Sequence, residues 1–90
     1  MLSIEFTTQF KRDFKRAQKR GCDPKQLEQV LMLLASETPL PPKYRDHALT
    51  GDYAHCRECH IQPDWLLIYE VLHDRLLLRL IRTGSHSDLF

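Results

Sequence analysis

Three prolines near the middle of the chain divide it into two segments with different patterns. Pro39, Pro41 and Pro42 cannot continue a helix, because proline lacks the backbone N–H that a helix needs and its ring clashes with the preceding turn. Helical spacing of apolar residues precedes these prolines, and extended patterns follow them. A chain of 90 residues has the usual size of one compact domain, so we expect a single domain that spans residues 1–90.

The first segment begins with a predicted strand and a predicted helix. Apolar and polar residues alternate over positions 2–6, which is typical of a half-buried strand. Thr7 or Thr8 can then cap a first helix, and Gly21 can end it. Helical spacing places four residues on one apolar face: Phe6, Phe10, Phe14 and Ala17.

A second helix is predicted to follow directly. Asp23 is placed to cap it, Pro24 fits its first position, and Gln26 can close a capping box. The helix must end before Pro39. The spacing of its apolar residues predicts a core-facing stripe formed by Leu27, Val30, Leu31 and Leu34.

The segment after the prolines predicts three strands. Turns at Pro63-Asp64 and His73-Asp74 separate extended stretches at residues 53–62, 65–71 and 75–81. A loop and a short tail are expected at residues 83–86 and 87–90. The predicted order is therefore β-α-α-β-β-β. This order indicates an α+β fold in which two N-terminal helices pack on one face of a mainly antiparallel sheet. The other face of the sheet would be free to carry a site.

Positive charge is concentrated in the first predicted helix. The net charge is only +1, but residues 1–45 carry nine Lys and Arg against five Asp and Glu, and residues 46–90 carry four against seven. Six basic residues lie close together: Lys11, Arg12, Lys15, Arg16, Lys19 and Arg20. Such a cluster is suited to a phosphate-backbone partner. The alternative is an ordinary solvated helix face.

The sequence has the features of a cytoplasmic protein. Its apolar runs are far shorter than the roughly 20 residues that a membrane-spanning helix needs. Its first residues lack the basic start and apolar stretch of a secretory signal, so we expect a cytoplasmic location and no membrane partner. Without an export signal, Cys22, Cys56 and Cys59 are expected to be reduced thiols.

The histidines of the chain predict acid–base chemistry. His47, His60 and His86 are interspersed with Asp64 and Arg82, at predicted strand ends and loops where sites are usually built. Such a set can cleave RNA without a metal or another cofactor. A base removes the proton of the 2′-hydroxyl, an acid protonates the leaving 5′-oxygen, and a cation stabilises the charged phosphorane. Taken singly, each residue also fits an ordinary role, as a loop histidine, a turn aspartate or an ion-paired arginine. Trp65, beside Asp64, would in the same way usually be a core residue.

A short cysteine motif suggests a competing function. Residues 56–60, Cys-Arg-Glu-Cys-His, match the C-x-x-C-H pattern of covalent haem attachment, and with His55 they also suggest zinc. In a strand, however, Cys56 and Cys59 point to opposite faces and cannot hold one ion together. We therefore expect neither haem nor a metal here, and at least one of the two cysteines to pack against the core.

Three motifs resemble those of one known family. Residues 45–51, RDHALTG, resemble the D-H-x-L-x-G segment of YafQ-type toxins of the RelE superfamily. Residues 57–69, RECHIQPDWLLIY, are similar to the H-x-x-P-D-W-x-L-x-Y strand pair of these toxins. Residues 82–86, RTGSH, followed by Leu89-Phe90, are similar to their R-T-G-[ST]-H ending. The order of elements in the family agrees with the predicted order, so the resemblance covers essentially the whole chain.

The resemblance implies the toxin of a type II toxin–antitoxin system. Such a toxin is a ribosome-dependent endoribonuclease that cleaves mRNA in the ribosomal A site and so inhibits translation. The implied partners are mRNA, the small ribosomal subunit and a cognate antitoxin protein, with DNA contacted only indirectly through the antitoxin complex.

The resemblance also implies roles for particular residues. The proton-handling set would be His47, His60, Asp64 and His86. Within it, His86 would be the general acid and Asp64 the favoured general base, with His60 orienting Asp64 or sharing its role. Arg82 would hold the scissile phosphate, while Trp65 and Phe90 would position the RNA. The basic helix that starts near Thr8 would contact ribosomal RNA.

Two other classes of protein remain as alternatives. One is a superfamily member that has lost activity and acts mainly by binding a partner protein. The other is a small DNA-binding or metal-binding module, which the missing helix-turn-helix pattern and the weak metal spacing disfavour.

Overall fold

One five-stranded sheet organises the molecule. A computed structural model describes all 90 residues and contains five strands: β1 (Ser3–Phe6), β2 (His47–Ala48), β3 (Arg57–Gln62), β4 (Trp65–Leu72) and β5 (Leu77–Gly84). The strand order is β1-β5-β4-β3-β2, and only the β1–β5 pair is parallel. The predicted α+β class and mainly antiparallel sheet are confirmed. The two-residue strand β2 was not predicted, because it is too short to show an alternation of its own.

The two long helices begin where the sequence places their caps. Helix α1 (Thr8–Lys19) is capped by Thr7, whose Oγ1 accepts a hydrogen bond from Phe10 N–H, and helix α2 (Pro24–Ala35) is capped by Asp23. Gln26 does not close the predicted capping box. Its Oε1 is buried without a hydrogen-bond partner, and Asp23 instead accepts from Lys25 N–H. None of the helices combines the length and the apolar composition that a membrane span requires.

Both long helices pack on the same face of the sheet, as predicted. The larger core joins Phe10 and Ala17 of α1, and the whole predicted stripe of α2, to inward-facing residues of three strands: Cys59, Ile61, Trp65, Leu67, Tyr69, Leu78 and Leu80. Phe6 is an exception to the predicted helical face. It is the last residue of β1, and 45% of its surface is exposed.

The opposite sheet face is covered by short segments and is not open along its whole length. Leu66 and Ile68 of β4 form a smaller core with Cys56 and Leu89, against which Leu49, Tyr53 and Ile81 also pack. Leu89 belongs to a short helix α3 (His86–Leu89), where the sequence predicted only a loop and a tail. The expectation of a free second face is therefore only partly right.

A buried ion pair joins α1 to β5. Asp13 lies among the basic residues of α1, yet it is only 2% exposed. Its carboxylate accepts two hydrogen bonds from the guanidinium of Arg82, at 2.8 and 3.1 Å, and one from Thr83 N–H. Burial by itself raises the pKa of Asp13, but the hydrogen bonds from Arg82, Gln9 and Thr83 lower it below its ordinary value. Asp13 is therefore ionised and fixes α1 against the sheet.

Helix α3 is held by a capping box and by two arginines of α1. Ser85 Oγ accepts from Asp88 N–H, and the Asp88 carboxylate accepts from Ser85 N–H. Arg20 Nη1 lies 2.6 Å from Asp88, and Arg16 Nη1 lies 3.8 Å from it. A Cβ at Gly84 would meet the Asp88 carboxylate at 2.9 Å, so this close approach requires glycine.

The central strand provides a test of the core. We expect Leu67→Ala, in β4, to lower the free energy of unfolding by about 2–5 kcal/mol, because the substitution leaves a cavity at a side chain that is fully buried. The exposed Met32→Ala should change it by no more than about 0.5 kcal/mol. Urea unfolding monitored by circular dichroism measures both. Equal effects of the two substitutions would contradict the assignment of Leu67 to the core.

The Asp88 contacts predict a pH-dependent contribution to stability. The hydrogen bond from Ser85 N–H and the neighbouring Arg20 lower the pKa of Asp88 from 3.8 to about 2. A carboxylate with a lowered pKa in the folded state stabilises the fold above its ordinary pKa, and this contribution is lost as pH falls from 3.8 through about 2. Asp88→Asn should therefore cost roughly 1 kcal/mol at neutral pH and nothing once the wild-type carboxylate is protonated.

The matched control is Asp74→Asn, because Asp74 is an exposed turn aspartate that contacts only Arg75, at 4.0 Å. Urea unfolding across this pH range measures the difference from the wild type. A difference for Asp88→Asn that stays constant through the titration would contradict the role of its charge.

Candidate active site

Three histidines that are distant in sequence converge on the second sheet face. His47 lies in β2, His60 in β3 and His86 at the start of α3. The ring centroids of His47 and His60 are 6.3 Å apart, and those of His60 and His86 are also 6.3 Å apart. The structure therefore brings together all three histidines that the sequence analysis singled out.

A buried carboxylate lies between two of these rings. Glu58 is only 3% exposed, and its Oε1 lies 3.4 Å from His47 Nε2 and 3.6 Å from His60 Nε2. The register places Glu58 opposite His47 on β2, and His60 follows two residues later on the same strand face. Its second oxygen, Oε2, is buried without a hydrogen-bond partner. Glu58 was not predicted from the sequence, although its i, i+2 spacing from His60 indicates a shared strand face.

The remaining ring nitrogens of His47 and His60 face backbone carbonyls. His47 Nδ1 lies 2.7 Å from the carbonyl oxygen of Arg45, and His60 Nδ1 lies 3.3 Å from that of Pro63. A carbonyl oxygen only accepts hydrogen bonds, and so does an ionised carboxylate. Each ring nitrogen of His47 and His60 therefore has an acceptor oxygen within 3.6 Å.

Asp64 contacts the backbone that carries His86. It is exposed in the turn between β3 and β4, and its Oδ1 accepts a hydrogen bond from His86 N–H at 3.3 Å. The family resemblance implied Asp64 as the favoured general base. In the structure it lies beside the start of α3, where it orients the residue expected to be the general acid.

Arg82 connects to the histidines through two aromatic residues. Its guanidinium is bound to Asp13, which, together with the neighbouring Tyr53 hydroxyl, raises the pKa of Arg82 further above its ordinary value. The Tyr53 ring lies 6.3 Å from that of Phe90, and Phe90 lies 5.6 Å from His86. Because 61% of Phe90 is exposed, its ring remains available for a ligand.

Trp65 does not lie where a contact with RNA would require it. It is 2% exposed and belongs to the larger core, with its Nε1–H donating to Thr83 Oγ1 at 2.9 Å. Thr83 in turn donates to the carbonyl oxygen of Leu66. The expectation that Trp65 positions RNA directly is therefore wrong for this structure, and Trp65 instead supports β5 from within.

The basic residues of α1 divide into two groups. Arg16 and Arg20 form ion pairs with Asp88, so part of their charge is used within the molecule. The other four form no ion pair and are exposed: Lys11, Arg12, Lys15 and Lys19. These four remain available to a phosphate-rich partner.

Two cysteines of the C-x-x-C-H motif lie on opposite faces, as predicted. Cys56 belongs to the smaller core and Cys59 to the larger one. Burial raises the pKa of both thiols, that of Cys59 to about 12. The two cysteines therefore cannot form one site together.

Comparisons with known proteins agree with this geometry. The family of bacterial YafQ toxins of type II toxin–antitoxin systems matches residues 2–90. The chain is 47% identical over 88 residues to the mRNA interferase toxin YafQ of Escherichia coli K12, an alignment that covers 97% of this chain and 94% of that protein.

Solved structures show the same similarity. A metal-bound toxin from Helicobacter pylori has a TM-score of 0.94 and 48% identity, with both chains covered completely. YafQ in the E. coli DinJ–YafQ complex has a TM-score of 0.88 and 44% identity, covering 100% of this chain and 99% of the other. From these matches over nearly its whole length, the chain belongs to the YafQ family of bacterial toxins of type II toxin–antitoxin systems.

Proposed function

We propose that this protein is an endoribonuclease, the mRNA interferase of a type II toxin–antitoxin pair. The observation that carries the proposal is the cluster of three histidines, two of which contact the buried carboxylate of Glu58. This set supplies a proton acceptor, proton donors and positive charge at one place, which is what attack of a 2′-hydroxyl on its own phosphate requires. The name of the E. coli relative, mRNA interferase toxin, supports the same activity.

Within this site, His86 acts as the general acid. Its ring lies at the start of α3, beside His60 and the exposed Phe90, and neither of its ring nitrogens forms a hydrogen bond within the protein. Phe90 orients the RNA, so that the His86 ring faces the leaving 5′-oxygen. Asp64, Ser85 and Asp88 hold the backbone of α3 and thereby position His86.

The general base is Glu58 and not Asp64 in this proposal. Oε2 of Glu58 is a carboxylate oxygen with no partner, whereas His47 and His60 have an acceptor at every ring nitrogen. Glu58 takes the proton of the 2′-hydroxyl after the exposed His47 moves aside to admit the substrate. His60 and the guanidinium of Arg82 then stabilise the negative charge of the phosphorane.

The RNA approaches along positively charged surface. A cleft of about 320 Å³ beside His60 is bordered by Lys43 and Arg45, which can contact phosphates on one side of the scissile bond. On another surface, the four unpaired basic residues of α1 contact ribosomal RNA of the small subunit, so that cleavage occurs in the A site. Such action places the protein in the cytoplasm.

A cognate antitoxin completes the proposed system. E. coli YafQ is found in a complex with DinJ, and we propose that an analogous antitoxin binds and silences this chain. Any contact with operator DNA is made by the antitoxin within that complex. The competing proposal is a family member that binds partners without cleaving RNA, and the experiment on His86 separates the two.

Induction of the chain alone in bacteria tests the activity. We expect growth arrest and new 5′ ends inside translated codons, and His86→Ala should abolish both while leaving the circular dichroism spectrum and thermal unfolding unchanged. His73→Ala is the matched control, because His73 is an exposed turn histidine paired only with Glu37. Absence of cleavage by well-folded wild-type protein would favour the partner-binding alternative.

Paired substitutions of the two carboxylates test the assignment of the base. Glu58→Gln should lower the rate of cleavage by about 10²–10⁴-fold and remove the rise of rate with pH, because it removes proton transfer from the 2′-hydroxyl. Asp64→Asn should retain that pH dependence with a much smaller loss, since its amide oxygen still accepts from His86 N–H. Single-turnover cleavage on programmed ribosomes measures both. The reverse ranking would return the role of base to Asp64.

A further inference from the structure

A second group of potential metal ligands lies outside the three-histidine cluster. His55, Cys56 and Glu70 each offer one ligand atom, and these atoms all lie within 4.8 Å of one another. His55 Nε2 is 3.2 Å from Glu70 Oε2. The proposed cleavage reaction uses none of these three side chains, so their convergence needs another explanation.

The register of the sheet creates this group. Arg57 pairs with Tyr69 and Glu58 with Ile68 across the antiparallel β3–β4 pair. One step further along the same register, Cys56 lies opposite Glu70. The two cysteines of the C-x-x-C-H motif therefore cannot bind one metal ion together. Cys56 instead lies near the carboxylate of Glu70 on the neighbouring strand and the imidazole of His55, the preceding residue.

The ligand types, and the separation of one ligand pair, fit a tetrahedral zinc-class ion. Zinc bonds of about 2.0–2.3 Å to N, O and S ligands place neighbouring ligand atoms about 3.4 Å apart in a tetrahedron. The 3.2 Å separation of His55 Nε2 and Glu70 Oε2 already approaches that value. Cys56 and Glu70 are buried and therefore well fixed, whereas His55 is exposed and leaves the group open to solvent. Three protein ligands with one open position are a common zinc arrangement.

A neighbouring ion pair orients the carboxylate. Arg79 Nη1 donates to Glu70 Oε1 at 3.4 Å, which leaves Oε2 directed toward His55. Outer contacts of this kind commonly fix metal ligands. Arg79 is itself neutralised by Glu5, at 2.6 Å. With Cys56 as a thiolate, the group therefore offers two negative charges to a divalent cation.

We propose that His55, Cys56 and Glu70 bind one zinc-class divalent cation, with water or an external ligand at the fourth position. The metal–sulfur bond forms as the S–H bond of Cys56 breaks, the proton goes to solvent, and no oxidation state changes. Metal binding therefore competes with protonation of the Cys56 thiol. A bound ion would link the segment before β3 to β4.

Titration of the purified full-length chain with Co²⁺ and then Zn²⁺ tests the site. We expect one equivalent of Co²⁺ to produce a thiolate-to-cobalt charge-transfer band, and Zn²⁺ to displace it and raise the temperature of unfolding. His55→Ala and Glu70→Gln should each weaken Co²⁺ binding by at least about tenfold, because changing only an outer contact of a metal ligand already costs about that much affinity. Cys56→Ser should remove the band.

Two controls exclude other sites. Cys22→Ser removes a thiol elsewhere, and His60→Ala changes the three-histidine cluster; both should retain the band and the affinity. Since Cys56 is buried and its variant could fail to fold, the exposed His55→Ala keeps the test decisive. Absence of the band in the wild type, unchanged affinity in His55→Ala, or loss of binding only in His60→Ala or Cys22→Ser would overturn the proposal. None of these results depends on ribonuclease activity.

Discussion

Strand β4 is buried on both of its faces, and the remaining architecture follows from the need to cover it twice. Its first six residues are all buried, with Leu67 and Tyr69 on one side and Leu66 and Ile68 on the other. The long helices α1 and α2 cover the first side. In so short a chain, only the segment before β3 and the four-residue helix α3 are left for the second side. The candidate site lies on this second side, because the segment before β3 carries His47 and helix α3 begins with His86.

The ionised Asp13 fixes the position of α1 on the sheet. A carboxylate inside a protein loses its hydration, and Asp13 recovers hydrogen bonds from the planar fork of Arg82 and from Thr83 N–H. Such buried ion pairs contribute little net stability compared with an apolar contact, but their hydrogen bonds require one relative orientation of the two side chains. The same contact determines where the guanidinium of Arg82 lies. The Asp13–Arg82 ion pair therefore determines both how α1 packs on the sheet and where the guanidinium of Arg82 lies relative to the candidate site.

The sequence predicts those parts of the structure that depend on neighbouring residues. The caps at Thr7 and Asp23 and the apolar stripe of α2 follow from local hydrogen bonding and helical spacing. The two-residue β2 and the short α3 were missed, because elements of this length have no periodicity. Glu58 was missed for another reason: its burial depends on His47, which lies eleven positions away and pairs with it only in the folded sheet. Family motifs indicated the histidines but could not show that Trp65 packs inward.

The contact between α1 and α3 gives the basic helix a second role. Arg20 forms an ion pair with Asp88, and Arg16 forms a longer one. The carboxylate of Asp88 also completes the N-terminal capping box of α3, the helix that carries His86. A guanidinium that turns toward an external phosphate or carboxylate gives up part of that contact. Binding of any polyanion along this end of α1 is thus energetically coupled to the order of α3. The basic surface of α1 and the His86 side chain would then communicate through the exchangeable ion pairs of Asp88, with no change in the sheet between them.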